Sequence, residues 1–546
     1  LPALLVALLG SGVRVAAAEE RAGEVEEPAA RQSPSDGSDE AGSDADASTE
    51  KRVIFKPRDV EEIIVMGEPM RLPVQDQTVS VIAFDPDAIK AEGISDIRDL
   101  SNFTPSLQIK SAFAASNPTI FIRGVGLDDF NANSQSAVAI YQDGVYMQSP
   151  AGQLFQFFDL DGVDVLRGPQ PTLFRNAEAG AILVSSKKPT EEFDGYLTTT
   201  YGNFDLFESE GAFGGPIIPE RLLGRVSASW GIRDGITDNR CANREPSCDL
   251  SQPAPDGSLQ YDFGMEDETN NADAWATRGQ LLLRLPSGFE TDSDMEWLAN
   301  VHGGQNRSRA LQFQHRGARF TGPTGEVPVI GGGDESGYKD TDGDPFAGDY
   351  NQDGPEDIDL FGSNLNGTWP LGGGIEIHSL TAYEWHDRFT HENSDASPRF
   401  VLESKYEDTS WQLSEELELR GDWDSLIAWD LGEGEWRLGA YYIQDDLDVT
   451  NNFDAAGTGT AQHLTQEYTQ ETRNLSGFAY SEYHFRPGCK TFLPCDFTLI
   501  GGFRYNIERK SFDTSVCEQA VVQCDRSTIV GDDAETWTGP GGEISL

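Results

Sequence analysis

From Phe193 onward, the apolar residues of this chain recur at every second position, in run after run. In LLGRVSASWGI (222–232), Val226, Ala228, Trp230 and Ile232 alternate with Arg225, Ser227 and Ser229. Leu281, Leu283 and Leu285 alternate with Gln280 and Arg284, and Met295, Trp297, Ala299 and Val301 with Glu296, Asn300 and His302. Ile375, Ile377, Tyr383 and Trp385 stand against Glu376, His378, Glu384 and His386. Leu413, Leu417 and Leu419 oppose Gln412, Glu416, Glu418 and Arg420, while Phe497, Leu499, Phe503, Tyr505 and Ile507 oppose Arg504, Asn506 and Glu508. Strand side chains point alternately to opposite faces, so each run predicts a strand with one apolar and one polar face. Such strands build a soluble sandwich, a propeller or the wall of a membrane barrel. Runs of about ten residues, aromatics near several strand ends and alternately short and long connections favour the barrel. GNFD (202–205) is a short connection; 234–274 and 303–357 are long, polar and rich in Asp and Gly. In a barrel the apolar faces meet lipid, the lumen is polar, and closure pairs every backbone group.

The residues before Phe193 follow a different rule. Val79 to Phe84 reads as a strand and PDAIKAEGISDIRDLSNF as helical segments, with Ile94, Ile97, Leu100 and Phe103 near helical spacing and facing a core. TIFIRGVG (119–126) and AVAIYQDGVY (137–146) read as further strands, the second turning at Asp143-Gly144. The stretch 159–189, DLDGVDVLRGPQPTLFRNAEAGAILVSSKKP, holds two more strands around an Arg-Gly-Pro turn and marks the boundary. GVGLDD does not open a helix, so its glycines are no dinucleotide cradle.

The N-terminal segment LPALLVALLGSGVRVAAAEE has the apolar core and small-residue cleavage region of a secretory signal and is too short to cross a bilayer as a helix. Residues 1–18 are read as the remnant of that signal. Residues 19–52 are acidic and rich in Ser, Ala, Gly and Pro, a composition that cannot bury a core, so 19–59 reads as a disordered tether. The segment Glu61, Glu62, Ile63, Ile64, Val65 follows as an acidic step into a β-prone run; it is either a first strand or an edge able to join a partner's sheet. The formal charge of -52 argues against nucleic acid as a partner. In an exported chain, the close pairs Cys241–Cys248, Cys489–Cys495 and Cys517–Cys524 favour local disulfides over metal ligation or free thiols. No catalytic set is evident: the seven histidines are scattered.

EEIIVMG (61–67), the strand–helix–strand unit, FIRGVG, VAIYQDGVY and VDVLRGPQPTLFRNAEAGAILVSSKKP together resemble the TonB-dependent outer-membrane receptors, over roughly residues 60–546. The resemblance implies an α/β plug domain (60–190) seated in the lumen of a transmembrane antiparallel β-barrel (191–546), which is incomplete here because the full barrel would have about 22 strands. It implies an active transporter rather than an enzyme, working with a TonB-type inner-membrane energy transducer that pulls on Glu61–Val65. It also implies a plug–barrel lock involving Arg123, Arg167 and Gly168, with Glu376, Glu416 or Glu418 as barrel partners. The ligand vestibule would include Phe113, Asn117, Asp128, Asp129, Phe130, Asn131 and Asn133. By family weight the cargo is a ferric siderophore; cobalamin, nickel complexes, oligosaccharides and polyphenol fragments are alternatives. A non-transporting β-rich surface or adhesion protein is the alternative of another class. Two departures stand out: Pro171 where the family has Gly, and LFRNAEAGAI, one residue shorter than the usual pattern. No cofactor is required; Asp340, Asp342 and Asp344, at alternate positions with Gly343 among them, suit either a structural Ca²⁺ or an acidic, solvated loop.

Overall fold

The computed structural model describes residues 80–111, 117–129, 131–153, 157–170, 172–242, 248, 265–289, 293–315, 338–340, 343–399, 402–423, 432–456, 461–485, 497–518 and 529–545. Its N-terminal part is a small α/β domain. The strands are β1 (Ser80–Phe84), β2 (Leu107–Ser111), β3 (Pro118–Ile122), β4 (Val125–Gly126), β5 (Val138–Gln142), β6 (Val145–Tyr146), β7 (Leu160–Arg167) and β8 (Gly180–Ser186). One sheet runs β1-β7-β8-β5-β6, with β5 and β8 parallel, and a second runs β2-β3-β4. Their core gathers Ile97, Leu100, Ile120, Ile122, Val138, Ile140, Val163, Val165, Ile182 and Val184. Gly180 is obligatory where β8 begins: a Cβ there would lie 2.1 Å from the Leu166 carbonyl oxygen. Asp143 and Gly144 both take positive φ (51° and 84°), the geometry that closes β5 and β6 into a tight hairpin.

The helical stretch departs from one expectation. Helix α1 (Pro86–Glu92) stops at Gly93, which takes φ 66°, and the chain restarts in a short turn capped by Asp96 before α2 (Leu100–Phe103). The break changes the angular phase, so Ile94, Ile97 and Leu100 are buried while Phe103 stays exposed.

The second part contains β9 (Asp194–Tyr201), β10 (Phe207–Ile218), β11 (Leu222–Arg233), β12 (Thr237–Asn239), β13 (Glu268–Thr269), β14 (Ala272–Leu285), β15 (Met295–Arg309), β16 (Ala347–Gly348), β17 (Pro355–Gly372), β18 (Ile375–Asn393), β19 (Leu402–Asp422), β20 (Gly432–Ala456), β21 (Ala461–Phe485), β22 (Phe497–Glu518) and β23 (Ile529–Ser545). Twelve of these form one antiparallel meander in chain order, with β9 and β23 at its edges. Strands β12, β13 and β16 form a separate small sheet that ties the two long connections together. At about 3.3 Å per residue, the 25-residue strands β20 and β21 are roughly 80 Å long. That is far more than a bilayer crossing needs, so they project well beyond it.

Burial in this sheet is inverted relative to a soluble protein. Val226 and Leu438 on the outer face are 62% and 52% exposed, whereas Arg225 and Arg504 on the inner face are 2% and 1% exposed. The same holds for Leu281 against Gln280, Val301 against Asn300 and Leu413 against Gln412. A sandwich would bury the apolar face; here it lies open along most of the meander, as a sheet solvated by lipid requires. No helix among the described residues is long and apolar enough to cross a membrane.

Leu438→Arg, on the lipid-facing side, is expected to destabilise the folded protein by about 2–4 kcal/mol, and Leu438→Phe by much less. Chemical unfolding in lipid bilayers measures both; equal stabilities would contradict the assignment of the outer face.

Candidate functional site at the plug–wall interface

The N-terminal domain lies against the inner, polar face of the sheet and is held there at three places. The first is just before β7. Asp159, at φ 48°, receives the guanidinium fork of Arg225 from β11, with Nε donating at 2.7 Å and Nη2 at 2.6 Å. Both side chains are 1% exposed. The remaining Arg225 nitrogen donates to Asp194 of β9 at 3.0 and 3.1 Å, and the Asp159 amide donates to Glu210 of β10 at 2.9 Å. Arg278 of β14 sits 4.5 Å over the Phe158 ring and donates to the Phe158 carbonyl at 3.2 Å. A guanidinium satisfied by two carboxylates can stay charged in a buried site; stripped of them it could not.

The second place is the loop after the Arg-Gly-Pro turn. The Arg175 amide donates to the Tyr141 hydroxyl at 2.7 Å, and its guanidinium donates to Gln148 at 2.7 Å and to Glu508 of β22 at 2.6 Å. Burial works against the Arg175 charge, but Tyr146, 5.2 Å beneath it, and Glu508 outweigh this and hold its pKa above the usual arginine value. Arg504 of β22 lies over Tyr441 and Phe478 and donates to the Thr172 carbonyl at 3.4 Å.

The third is the β5–β6 hairpin. Gln412 of β19 donates to the Tyr146 carbonyl at 2.6 Å and accepts from the Gln148 amide at 3.0 Å. Asn300 of β15 donates to Asp143 at 3.0 Å, and Ser149 meets His386 of β18 at 3.3 Å. Val145 packs on Leu380 and Ala382. Farther along the wall, Ala132 packs on Leu447, Val449 and Tyr468.

The residues expected to form the lock sit elsewhere. Arg123 is exposed, and Arg167 donates to Ser80 within its own domain at 2.7 Å. Gly168 takes φ 125° beside the Arg123 guanidinium. Of the expected carboxylates, Glu418 pairs with Arg420 on its own strand. Asp159, Arg175, Asp143, Gln148 and Gln412 make the observed contacts, a role the sequence reading did not give them. Asp159 lies between Phe158 and Leu160, and Arg175 directly follows Phe174; a charge beside apolar residues was the available signal. Among the expected vestibule residues, Asn117 is buried, Asp128 exposed and Asn133 half-buried, and Asp129 accepts from the Asn131 amide at 3.0 Å. Glu61–Val65, Phe113, Phe130, Asp342, the bridge Cys489–Cys495 and the side chains of Cys517–Cys524 lie outside the described residues.

Cys241 and Cys248 are joined in a disulfide. Their sulfurs and an Asp349 carboxylate oxygen lie within 4.8 Å of one another, a grouping of metal-ligand type. The disulfide leaves no thiolate, however, and Asp349 already accepts from Arg240 at 3.1 Å and Tyr338 at 2.9 Å. Asp353 is likewise ion-paired with Arg309 at 2.8 Å. Asp340 is half-buried, and Asp344 accepts from the Phe346 amide at 2.9 Å.

Residues 73–182 match the TonB-dependent Receptor Plug Domain. This stretch is a plug domain of the TonB-dependent receptor type. In sequence the chain is similar to the pesticin receptor of Yersinia pestis, 30% identical over 145 residues, 26% of this chain and 21% of that one. It is also similar to the ferripyoverdine receptor of Pseudomonas aeruginosa, 26% identical over 149 residues, 27% of this chain and 18% of that one. Its fold is similar to that of the ferric yersiniabactin uptake receptor FyuA from Yersinia pestis, with a TM-score of 0.58 at 18% identity over 85% of this chain and 61% of that one. The open form of the ferric-catecholate import receptor Fiu from E. coli gives 0.55 at 13%, over 86% of this chain and 67% of that one. The chain thus spans a quarter or less of the receptors it matches in sequence. The N-terminal domain thus matches the plug of TonB-dependent receptors, and the twelve-stranded sheet is the wall it lies against.

Asp159→Asn leaves two buried Arg225 nitrogens without a carboxylate and is expected to cost about 3 kcal/mol, the lower end of the range because Asp194 still holds the third. Arg123→Ala should change stability by no more than about 0.5 kcal/mol. Equilibrium unfolding of the purified receptor compares them, and the reverse order would overturn this description of the interface.

Proposed function

We propose that this receptor carries out energy-coupled uptake of a ferric-siderophore-type ligand across the outer membrane, as a transporter and not an enzyme. The observation that supports this most directly is the plug held in a polar lumen by buried ion pairs. A ligand can pass only if those contacts are broken, which requires work from outside the outer membrane. Similarity to receptors whose names specify ferric pyoverdine, ferric yersiniabactin and ferric catecholate supports this cargo class.

In this reading the wall is part of a closed barrel of about 22 strands. The tether 19–59 lets Glu61–Val65 reach a TonB-type transducer, and that segment couples by adding a strand to the partner's sheet. The plug loop carrying Asp128, Asp129, Asn131 and Asn133 contributes to the vestibule with the long connections, and Asp340, Asp342 and Asp344 hold a structural Ca²⁺ there.

Cells expressing the receptor with Ile63→Pro should still bind a radiolabelled ferric siderophore and fail to accumulate it, as should cells lacking the transducer. Accumulation unchanged in both would refute energy coupling. A panel with cobalamin and oligosaccharides tests the cargo: uptake of one of these and of no ferric complex would replace the siderophore assignment.

A further inference from the structure

Among the described residues, two neighbouring carboxylates on the inner face of the wall, Glu356 and Glu392, form no ion pair of their own. Glu356 of β17 pairs across the ladder with Thr390 of β18, and Glu392 is the next residue of β18 on the same face. On the other side, Tyr406 and Ser404 of β19 stand opposite Thr390 and Glu392. Glu356, Thr390 and Glu392 are 4%, 0% and 3% exposed. Directly opposed strand residues hold their Cβ atoms about 5 Å apart and diagonal neighbours within reach of long side chains, so these three converge on one spot. Glu392 Oε2 and the Thr390 hydroxyl are buried there with no hydrogen-bond partner among the described residues.

The surrounding charges do not satisfy them. Arg98, in the plug turn before α2, and Arg388 are the cations that act on Glu356, and Arg388 alone acts on Glu392. Arg98 is already forked onto Asp96, at 2.9 and 2.5 Å, and Arg388 is ion-paired with Asp408. Asp99 adds a further carboxylate, which accepts from the Ser95 amide and hydroxyl. Each guanidinium thus already has a carboxylate partner, so Glu356 and Glu392, when ionised, place two further carboxylates together in a buried site. His391 and Glu403 do not enter the count: they alternate to the other face, where Glu403 is held by Asn351 and His391.

We propose that Glu356, Thr390 and Glu392 form a binding site for one divalent cation of the calcium class, set between the wall and the 96–99 turn of the plug. One divalent ion balances the two carboxylates in their ionised form, and the donors of these three residues are all hard oxygens, with no imidazole or thiolate to favour a softer metal. The site is separate from the Asp340–Asp344 loop and does not depend on what the receptor carries. A bound ion would brace the plug turn against the wall through charge.

The test uses the detergent-solubilised receptor, stripped with chelator and titrated with Ca²⁺ alone while heat release and Tm are followed. Binding at the proposed site should half-saturate on the order of 0.1–1 mM and raise Tm. Glu392→Gln and the pair Glu356→Gln/Glu392→Gln should lose that binding step, and Asp340→Asn/Asp344→Asn should keep it. The double Gln variant keeps the shape of both side chains and removes both ionisable groups, so without Ca²⁺ it should unfold no earlier than the parent. Terbium luminescence provides a readout on a folded parent. Tyr406→Phe should lower emission sensitised by the adjacent ring without lowering the number of ions bound. Absence of any Ca²⁺ response in the parent, or an undiminished response in the double Gln variant, overturns the proposal.

Discussion

A strand in lipid must pair its backbone groups with other strands and present apolar side chains outward, and this constraint shapes the whole molecule. It puts Val226, Leu438 and Phe503 on the exposed side of the sheet and forces their neighbours Arg225, Arg437 and Arg504 inward. The polar groups so displaced into the lumen need partners, and many find them on the plug. The plug is therefore more than a stopper: it supplies the counter-charges and hydrogen-bond partners that make an inward-facing arginine tolerable. Asp159 does this for Arg225, and the Phe158 and Thr172 carbonyls do it for Arg278 and Arg504.

The three contact regions differ in chemistry. The Asp159–Arg225–Asp194 group is a fully satisfied, buried ion pair adjoining the point where plug passes into wall. The β5–β6 hairpin is held by hydrogen bonds without an ion pair to the wall, chiefly through Gln412, Asn300 donating to Asp143, and Ser149 beside His386, around a small apolar contact. Breaking such hydrogen bonds, with Asp143 still held by Ser186, costs much less than leaving a charge buried and alone. Force applied to the N-terminal side of the plug should therefore release the hairpin before the Asp159 end, leaving the plug tethered to the wall beside the residues that join the two.

Much of this was legible in the sequence. The alternation of Val226, Ala228 and Trp230 with Arg225, Ser227 and Ser229 gave both the strand and its two faces, because strand side chains have no choice about their period. The plug strands around Arg167 and the Asp143-Gly144 turn were equally plain, since few residues but glycine accept such backbone angles. The partners across the interface were not. Arg123 and Arg167 carry the motif that drew attention, yet Asp159 and Arg175 make the contacts. A period of two says which face a residue occupies but not what arrives there from a distant part of the chain. The helical segment shows the same limit: Gly93 and the Asp96 cap reset its phase, and Phe103 fell outside the core.

The central claim is that the plug blocks the lumen and that its hairpin must leave the β19 wall for the ligand to pass. Joining Gln148→Cys to Gln412→Cys with a short reducible crosslinker in intact cells tests this most directly. The account predicts that ferric-siderophore binding survives, that accumulation stops, and that reduction of the crosslink restores it. Accumulation at the uncrosslinked rate, with the crosslink shown to be complete, would contradict it.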